Sequence, residues 1–281
     1  MRKLFTTILG AAMLLPVMAQ SDDFGLWTSV GVEKKINKRL SAELGADMRF
    51  EDNLQQVHRW GFNVGLDYKI IPKILKLGVG YIFMDDYNPR EEKANYNSSG
   101  NLNGYNIDHD FYRDKHRFVV DLTGKISIGR FGIALRERYQ FTHLVTQNVA
   151  RDKYRGVITN IDNYTGRYYY DGTNYYGYRD PEGGGNTDID VKRCKNKHYL
   201  RQRLQLTYNI KGIPLEPYAS FELSNNLSNG FSIDKRRWRA GATYTIKKQH
   251  ELNLGYVYTN AEDDDQNGNL HCIEVGYKFK F

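Results

Sequence analysis

The chain has 281 residues, a formal net charge of +7 and a mean hydropathy of −0.65, with 14% aromatic residues led by 22 Tyr. Past Gln20 it holds no apolar run of the roughly 18 residues that mark a membrane-spanning helix. Its basic residues alternate with apolar ones instead of clustering, which argues against a nucleic-acid surface, and the spacing of its two cysteines fits no metal motif.

In chain order, an export leader comes first. Arg2 and Lys3 form a basic start, Leu4 to Val17 is apolar, and Val17-Met18-Ala19 ends on a small residue before the polar Ser21-Asp22-Asp23. We expect cleavage after Ala19, leaving residues 20–281 as one domain. Such a leader points to the outer membrane and an oxidising compartment.

Next comes period-2 alternation, repeated along the chain. In Leu40–Glu51 the residues Leu40, Ala42, Leu44, Ala46, Met48 and Phe50 share one face, and Ser41, Glu43, Gly45, Asp47, Arg49 and Glu51 share the other. Trp60, Phe62, Val64, Leu66, Tyr68 and Ile70 repeat the pattern, as do segments starting near Leu75, Phe118, Phe131, Leu200, Leu215, Trp238, Leu252 and Ile273. A weaker first strand covers about Phe24–Glu33. Each segment is long enough to cross a bilayer as a tilted strand. Glu137 falls on the apolar face, and a β-bulge there would return it to the interior.

Short links (Lys34–Arg39, Ile71–Lys73, Ser127–Arg130, Lys211–Pro214, Lys247–Gln249) alternate with long ones (Asp85–Lys115, His143–Lys197, Asn225–Asp234, Thr259–Asn269). Short periplasmic turns and long outer loops are the pattern of outer-membrane barrels. The expected fold is therefore an all-β transmembrane antiparallel barrel. Eleven strands are counted. Single-chain bacterial barrels have an even number, so the expectation is a range of 10–12.

The polar face supplies the candidate interior. Arg49, Arg59, Arg117, Arg136, Arg138, Arg201, Arg203, Arg237 and Arg239 meet Glu43, Asp47, Asp67, Asp121, Glu216, Glu222, Glu251 and Glu274 there. These charges either fill the lumen as ion pairs or line a narrow anion-selecting pore. The link His143–Lys197 carries Tyr154, Tyr164, Tyr168, Tyr169, Tyr170, Tyr175, Tyr176 and Tyr178, a composition suited to binding an extracellular glycan or protein. Asp263-x-Asp265-x-Asn267-Gly268, with Glu274 beyond, matches a calcium-loop pattern. That pattern needs helices on both sides, and strands are expected, so calcium is kept only as a weak candidate and no cofactor is expected.

Cys194 and Cys272 are both expected at the outer rim, where a disulfide would pin the large loop. His58, His116, His143, His198 and His271 lie near the same rim, yet no spacing marks a nucleophile–base pair. The expectation is a non-enzymatic barrel. A channel or transport role comes first, a structural or glycan-binding role second, and an envelope-lipid enzyme third.

Two resemblances bear on this. Glu274-x-Gly276-x-x-Phe279-x-Phe281 resembles the carboxyl-terminal signal read by the barrel assembly machinery. More widely, Trp27, Arg49, Gly61, Tyr68, Gly80-Tyr81, Arg136-Glu137-Arg138, Arg201-x-Arg203 and Pro217-Tyr218-x-x-x-Glu222 resemble the uncharacterised exported family called domain of unknown function 2490. That resemblance implies an outer-membrane barrel surrounded by outer-membrane lipids, and it supplies no catalytic residues.

Overall fold

The computed structural model describes residues 23–180, 188–263 and 266–281, without the side chains of residues 263, 266 and 267. The leader lies outside the described residues. Eleven strands close into a barrel. In chain order they are β1 (Asp23–Lys35), β2 (Leu40–Glu51), β3 (Gln56–Ile71), β4 (Leu75–Asn88), β7 (Phe111–Ile128), β8 (Phe131–Leu144), β13 (Lys195–Tyr208), β14 (Leu215–Asn226), β15 (Ser232–Ile246), β16 (His250–Asp263) and β17 (Gln266–Lys280).

The odd strand number has a plain structural answer. Every neighbouring pair in the wall is antiparallel except the closing one: β1 runs parallel to β17, from Asp23 beside Leu270 to Glu33 beside Lys280. An odd ring of alternating strands must contain one parallel pair. The described chain therefore begins at the end bearing the long links and finishes at the other end. Asp23 accepts hydrogen bonds from the backbone N–H groups of Asp52 (3.1 Å) and Asn53 (3.0 Å), which ties the start of β1 to the β2–β3 turn. At the opposite end Phe281 bonds Glu33 and Lys35 through its backbone.

Two of the four expected long loops are not loops. The link between β4 and β7 contains β5 (Glu91–Tyr96) and β6 (Leu102–Asp108). The link between β8 and β13 contains β9 (Gln147–Val157), β10 (Tyr168–Tyr170), β11 (Tyr175–Tyr178) and β12 (Asp188–Lys192). These six make a second sheet, with β9 between β6 on one side and β11 and β12 on the other. A long segment leaves backbone donors and acceptors that need partners, and pairing supplies them. The link expected over Thr259–Asn269 is also mostly ladder, since β16 and β17 stay paired to Asp263 and Gln266. The link after β14 shrinks to residues 227–231.

No bulge interrupts β8 at Glu137. It pairs directly with Leu122 and Gln202 and stays on the outer face, so the expected return to the interior does not occur.

The outer face of the wall is apolar around the ring. Val30, Leu44, Phe62, Val64, Val79, Val120, Leu135, Leu204, Leu254 and Val275 are all exposed. Aromatic side chains flank this band. Toward the long-link end Trp60 meets Phe83 (5.6 Å between centroids), Tyr81 meets Phe118 (5.2 Å) and Trp238 meets Tyr258 (5.4 Å). Toward the other end Phe131 meets Tyr208 (5.0 Å), and Phe279 stacks on Phe281 (5.6 Å).

Candidate functional site: an arginine-lined lumen

Strand periodicity sends alternate side chains inward, and register then decides which inward residues become neighbours. One row of paired residues runs Arg136, Arg203, Glu222, Arg237 and Thr259 across β8, β13, β14, β15 and β16. Another runs Glu274, Trp27, Arg49, Arg59 and Asp86 across β17, β1, β2, β3 and β4. The two rows meet inside the barrel, where the Arg49 and Arg237 guanidinium carbons lie 4.4 and 5.0 Å from the centre of the Trp27 ring.

Glu222 and Asp86 are the most deeply buried of the described anions of this region, and Glu51 is buried beside them. Glu222 accepts from Arg136 Nη2 at 2.7 Å, from Arg201 Nη2, and from Arg237 Nη1 at 3.5 Å. Asp86 takes a two-pronged bond from Arg59 and lies 2.9 Å from Lys115 Nζ. Asp121 is held by Arg138, 2.6 Å at Nη2. Arg117 donates to Thr142 Oγ1 at 3.2 Å. Charge-assisted bonds of this kind fix side-chain orientation.

Three cavities follow the lumen. One of about 340 Å³ is lined by all nine arginines named above together with Lys115, Lys197 and Lys235, against only Glu51 and Glu274. A second, also about 340 Å³, is lined by Glu43, Asp47, Glu251, Asn253 and Lys278. A third, about 390 Å³, takes in Asp67, Lys76, Asp121 and Asn63. Toward the carboxyl-terminal end charges are matched: Lys278 with Glu43 at 2.8 Å, Lys280 with Glu251, and Lys76 with Asp67 at 2.9 Å. The lumen is thus positive on the long-link side and balanced on the other. Beside Trp27, the side chains of Val257, Leu270 and Cys272 form a small buried apolar cluster.

Sequence reading put Glu51 on the inner face but missed the three lysines, Asp86 and Trp27 as members of this site. Parity held the signal for several: Lys115 and Lys235 each stand two residues before an arginine already on the inner face. Lys115 and Asp86 were passed over because their segment was read as loop.

Several other expectations change. Cys194 and Cys272 are free thiols, the first exposed and the second buried. Cys194 lies in the link just before β13 and Cys272 lies in β17; those strands are four apart in the ring, about 19 Å along the wall at the usual strand spacing, far beyond disulfide reach. The calcium reading also fails geometrically. Glu274 lies 3.6 Å from Arg239 and pairs with Gly255. It stands eight positions beyond Gln266 on β17, about 26 Å away. Asp265 and the side chains of Asp263 and Asn267 lie outside the described residues.

The rim histidines divide. His58 points inward, 3.5 Å from Glu51. His116 and His198 face outward and share hydrogen bonds with Tyr81 (2.7 Å) and Tyr139 (2.8 Å), His271 does the same with Tyr256, and His143 bonds Asn196.

Of the assembly-signal residues, Gly276 faces the lumen, where an added Cβ would stand 3.0 Å from Ser29 Oγ. Phe279 and Phe281 face outward. In the outer sheet Tyr154 and Tyr176 are buried with Ile107, and Tyr105, Tyr169 and Tyr178 pack on them. Tyr168 and Tyr170 remain exposed on the other face, where Tyr170 stacks on Tyr175 at 4.5 Å.

No curated protein matches the chain. A family model described as "Protein of unknown function (DUF2490)" matches residues 24–269, and the chain belongs to that family.

Proposed function

We propose that the chain is an integral outer-membrane barrel whose lumen admits small anions along a narrow route. The observation that carries this reading is the cavity lined by nine Arg and three Lys, whose carboxylate partners, among them Glu222, Asp86, Asp121, Glu51 and Glu274, are fewer than its cations. Basic linings of this kind select anions. Membrane residence is supported by the apolar outer band, since soluble monomers rarely expose a continuous apolar surface of this extent. The aromatic residues at both edges suit the two interfaces of a bilayer. The leader expected at residues 1–19 and the terminal Phe281 fit export and handling by the barrel assembly machinery. An eleven-strand ring sits between an interior nearly filled by side chains, at about eight strands, and the open channels of 16–18. The route is accordingly narrow.

The test is conductance of the purified barrel in planar bilayers, with Arg136→Gln and Arg201→Gln beside it. Current that loses anion preference in these variants supports the reading. A folded, inserted barrel that carries no current removes it and leaves the charges as a device that fixes register. We further propose a non-catalytic role, in which the outward histidines anchor the rim among outer-membrane lipids. A second reading, glycan or protein binding by the outer sheet, is favoured by exposed Tyr168 and Tyr170 packed on half-buried Tyr175.

A further inference from the structure

On β8 and β13 two like-charged pairs stand directly opposite each other: Arg136 against Arg203, and Arg138 against Arg201. Like charges in this position oppose strand pairing. Carboxylates relieve only part of the repulsion. Asp121 answers Arg138, while Glu222 is shared by Arg136, Arg201 and Arg237. One carboxylate among three guanidiniums leaves positive charge uncompensated. Arg203 makes no hydrogen bond or ion pair among the described residues. The Nε–H groups of Arg136 and Arg201 are buried without a partner, and an unmade buried bond of this kind is unfavourable. Arg136 and Arg203 also line the neighbouring cavity, so they stand at the neck between two chambers.

We propose that this neck binds a small, multiply charged oxyanion of the phosphate or phosphate-monoester class, seated between Arg136, Arg201 and Arg203. The chemistry favours an oxyanion over a halide. Guanidinium N–H groups point in fixed directions and form paired bonds to oxygens on one centre. A tetrahedral dianion offers several acceptors at once and offsets two charges, where chloride offsets one. The lumenal position keeps lipid headgroups away, so the ligand is a soluble anion. This inference rests on the reading that anions enter the lumen, and adds a ligand class and a seat.

The test uses the whole barrel folded in detergent, with heat-modifiable migration as the check on folding. Inorganic phosphate is titrated by calorimetry at constant ionic strength, with sodium chloride as the comparison. Wild-type protein should bind phosphate and melt at higher temperature in its presence, and chloride should do neither. Arg203→Gln should weaken phosphate binding about tenfold or more. Arg90→Gln, outside the wall, should leave it unchanged. If Arg203→Gln does not fold, Arg203→Lys decides: it keeps the charge, loses the fork, and should bind phosphate several-fold more weakly. Absence of phosphate binding by the wild type, or wild-type affinity in the Arg203 variant that folds, would overturn the proposal. Phosphate binding without current would remove the passage reading and leave this site. Current without phosphate binding would do the reverse.

Discussion

At the scale of single residues, the inner surface is organised by what small residues make room for. Tyr218 on β14 pairs with Gly241, which pairs with Gly255, and the Tyr218 hydroxyl lies over both. A Cβ added at Gly241 would stand 2.8 Å from that oxygen and 2.5 Å from the Leu254 carbonyl, and one at Gly255 would stand 2.7 Å from it. Gly255→Val should therefore destabilise the barrel by about 1–3 kcal/mol, read as a lower midpoint for loss of heat-modifiable migration; an unchanged midpoint would remove the close-approach argument. Gly61 is tighter still, with the Phe83 carbonyl 2.3 Å from an ideal Cβ. This is why the short motifs Gly61 and Pro217-Tyr218 carry information beyond alternation. Their inner placement was legible from parity. The ring-over-glycine contact was not, because it joins β14 to β16 across an intervening strand.

At the scale of elements, the outer sheet was the part least legible in the sequence. Its strands are short and polar, and their tyrosines occupy both faces, so no apolar stripe marks the inside. The wall strands show the opposite case: Leu44 against Glu43, or Leu204 against Arg203, follows one geometric rule, and the rule survives even at Glu137. The outer sheet is held partly by charge. Asp108, 1% exposed, is bonded by Arg151 and Lys192. Burial alone would raise its carboxyl, but the two cations outweigh this and lower it to about 2. A carboxyl depressed in this way stabilises the sheet fully above its unfolded value near 3.8, and the contribution is lost as pH falls toward 2. Protease nicking of residues 89–110 should thus rise between pH 4 and 2, and Asp108→Asn should show high nicking at neutral pH. Nicking of the wild type that does not vary with pH would contradict this. In the wall, Lys247 and Lys248 both adopt positive φ (50° and 61°) in the β15–β16 turn. Lys248→Gly should stabilise by about 1 kcal/mol, checked by the thermal midpoint of the detergent-folded barrel, and a fall in that midpoint would argue against this turn geometry.

At the scale of the molecule, closure by a parallel β1–β17 pair puts the two ends of the described chain at opposite rims. In the proposed outer-membrane orientation, with Phe281 toward the periplasm, Asp23 would lie at the cell surface beside the outer sheet. A tag inserted before Asp23 should be labelled on intact cells, and a tag reached only after the envelope is opened would contradict the topology. The odd count was legible in the sequence, but its meaning was not, since nothing in β1 read alone shows that its other edge meets β17 in parallel. The same limit explains the cysteines: position along the chain placed both near one rim, and only the ring order shows four strand steps between them. What the closed ring creates is a lumen whose charges are matched at one end and strongly basic at the other. The most direct measurement of that asymmetry is the reversal potential of the purified wild-type barrel across a planar bilayer with a potassium chloride gradient. Stable small openings with a reversal potential displaced toward the chloride equilibrium value are the expected result. Openings that reverse toward the potassium value, or a verified insertion that stays silent, would contradict an anion-admitting lumen.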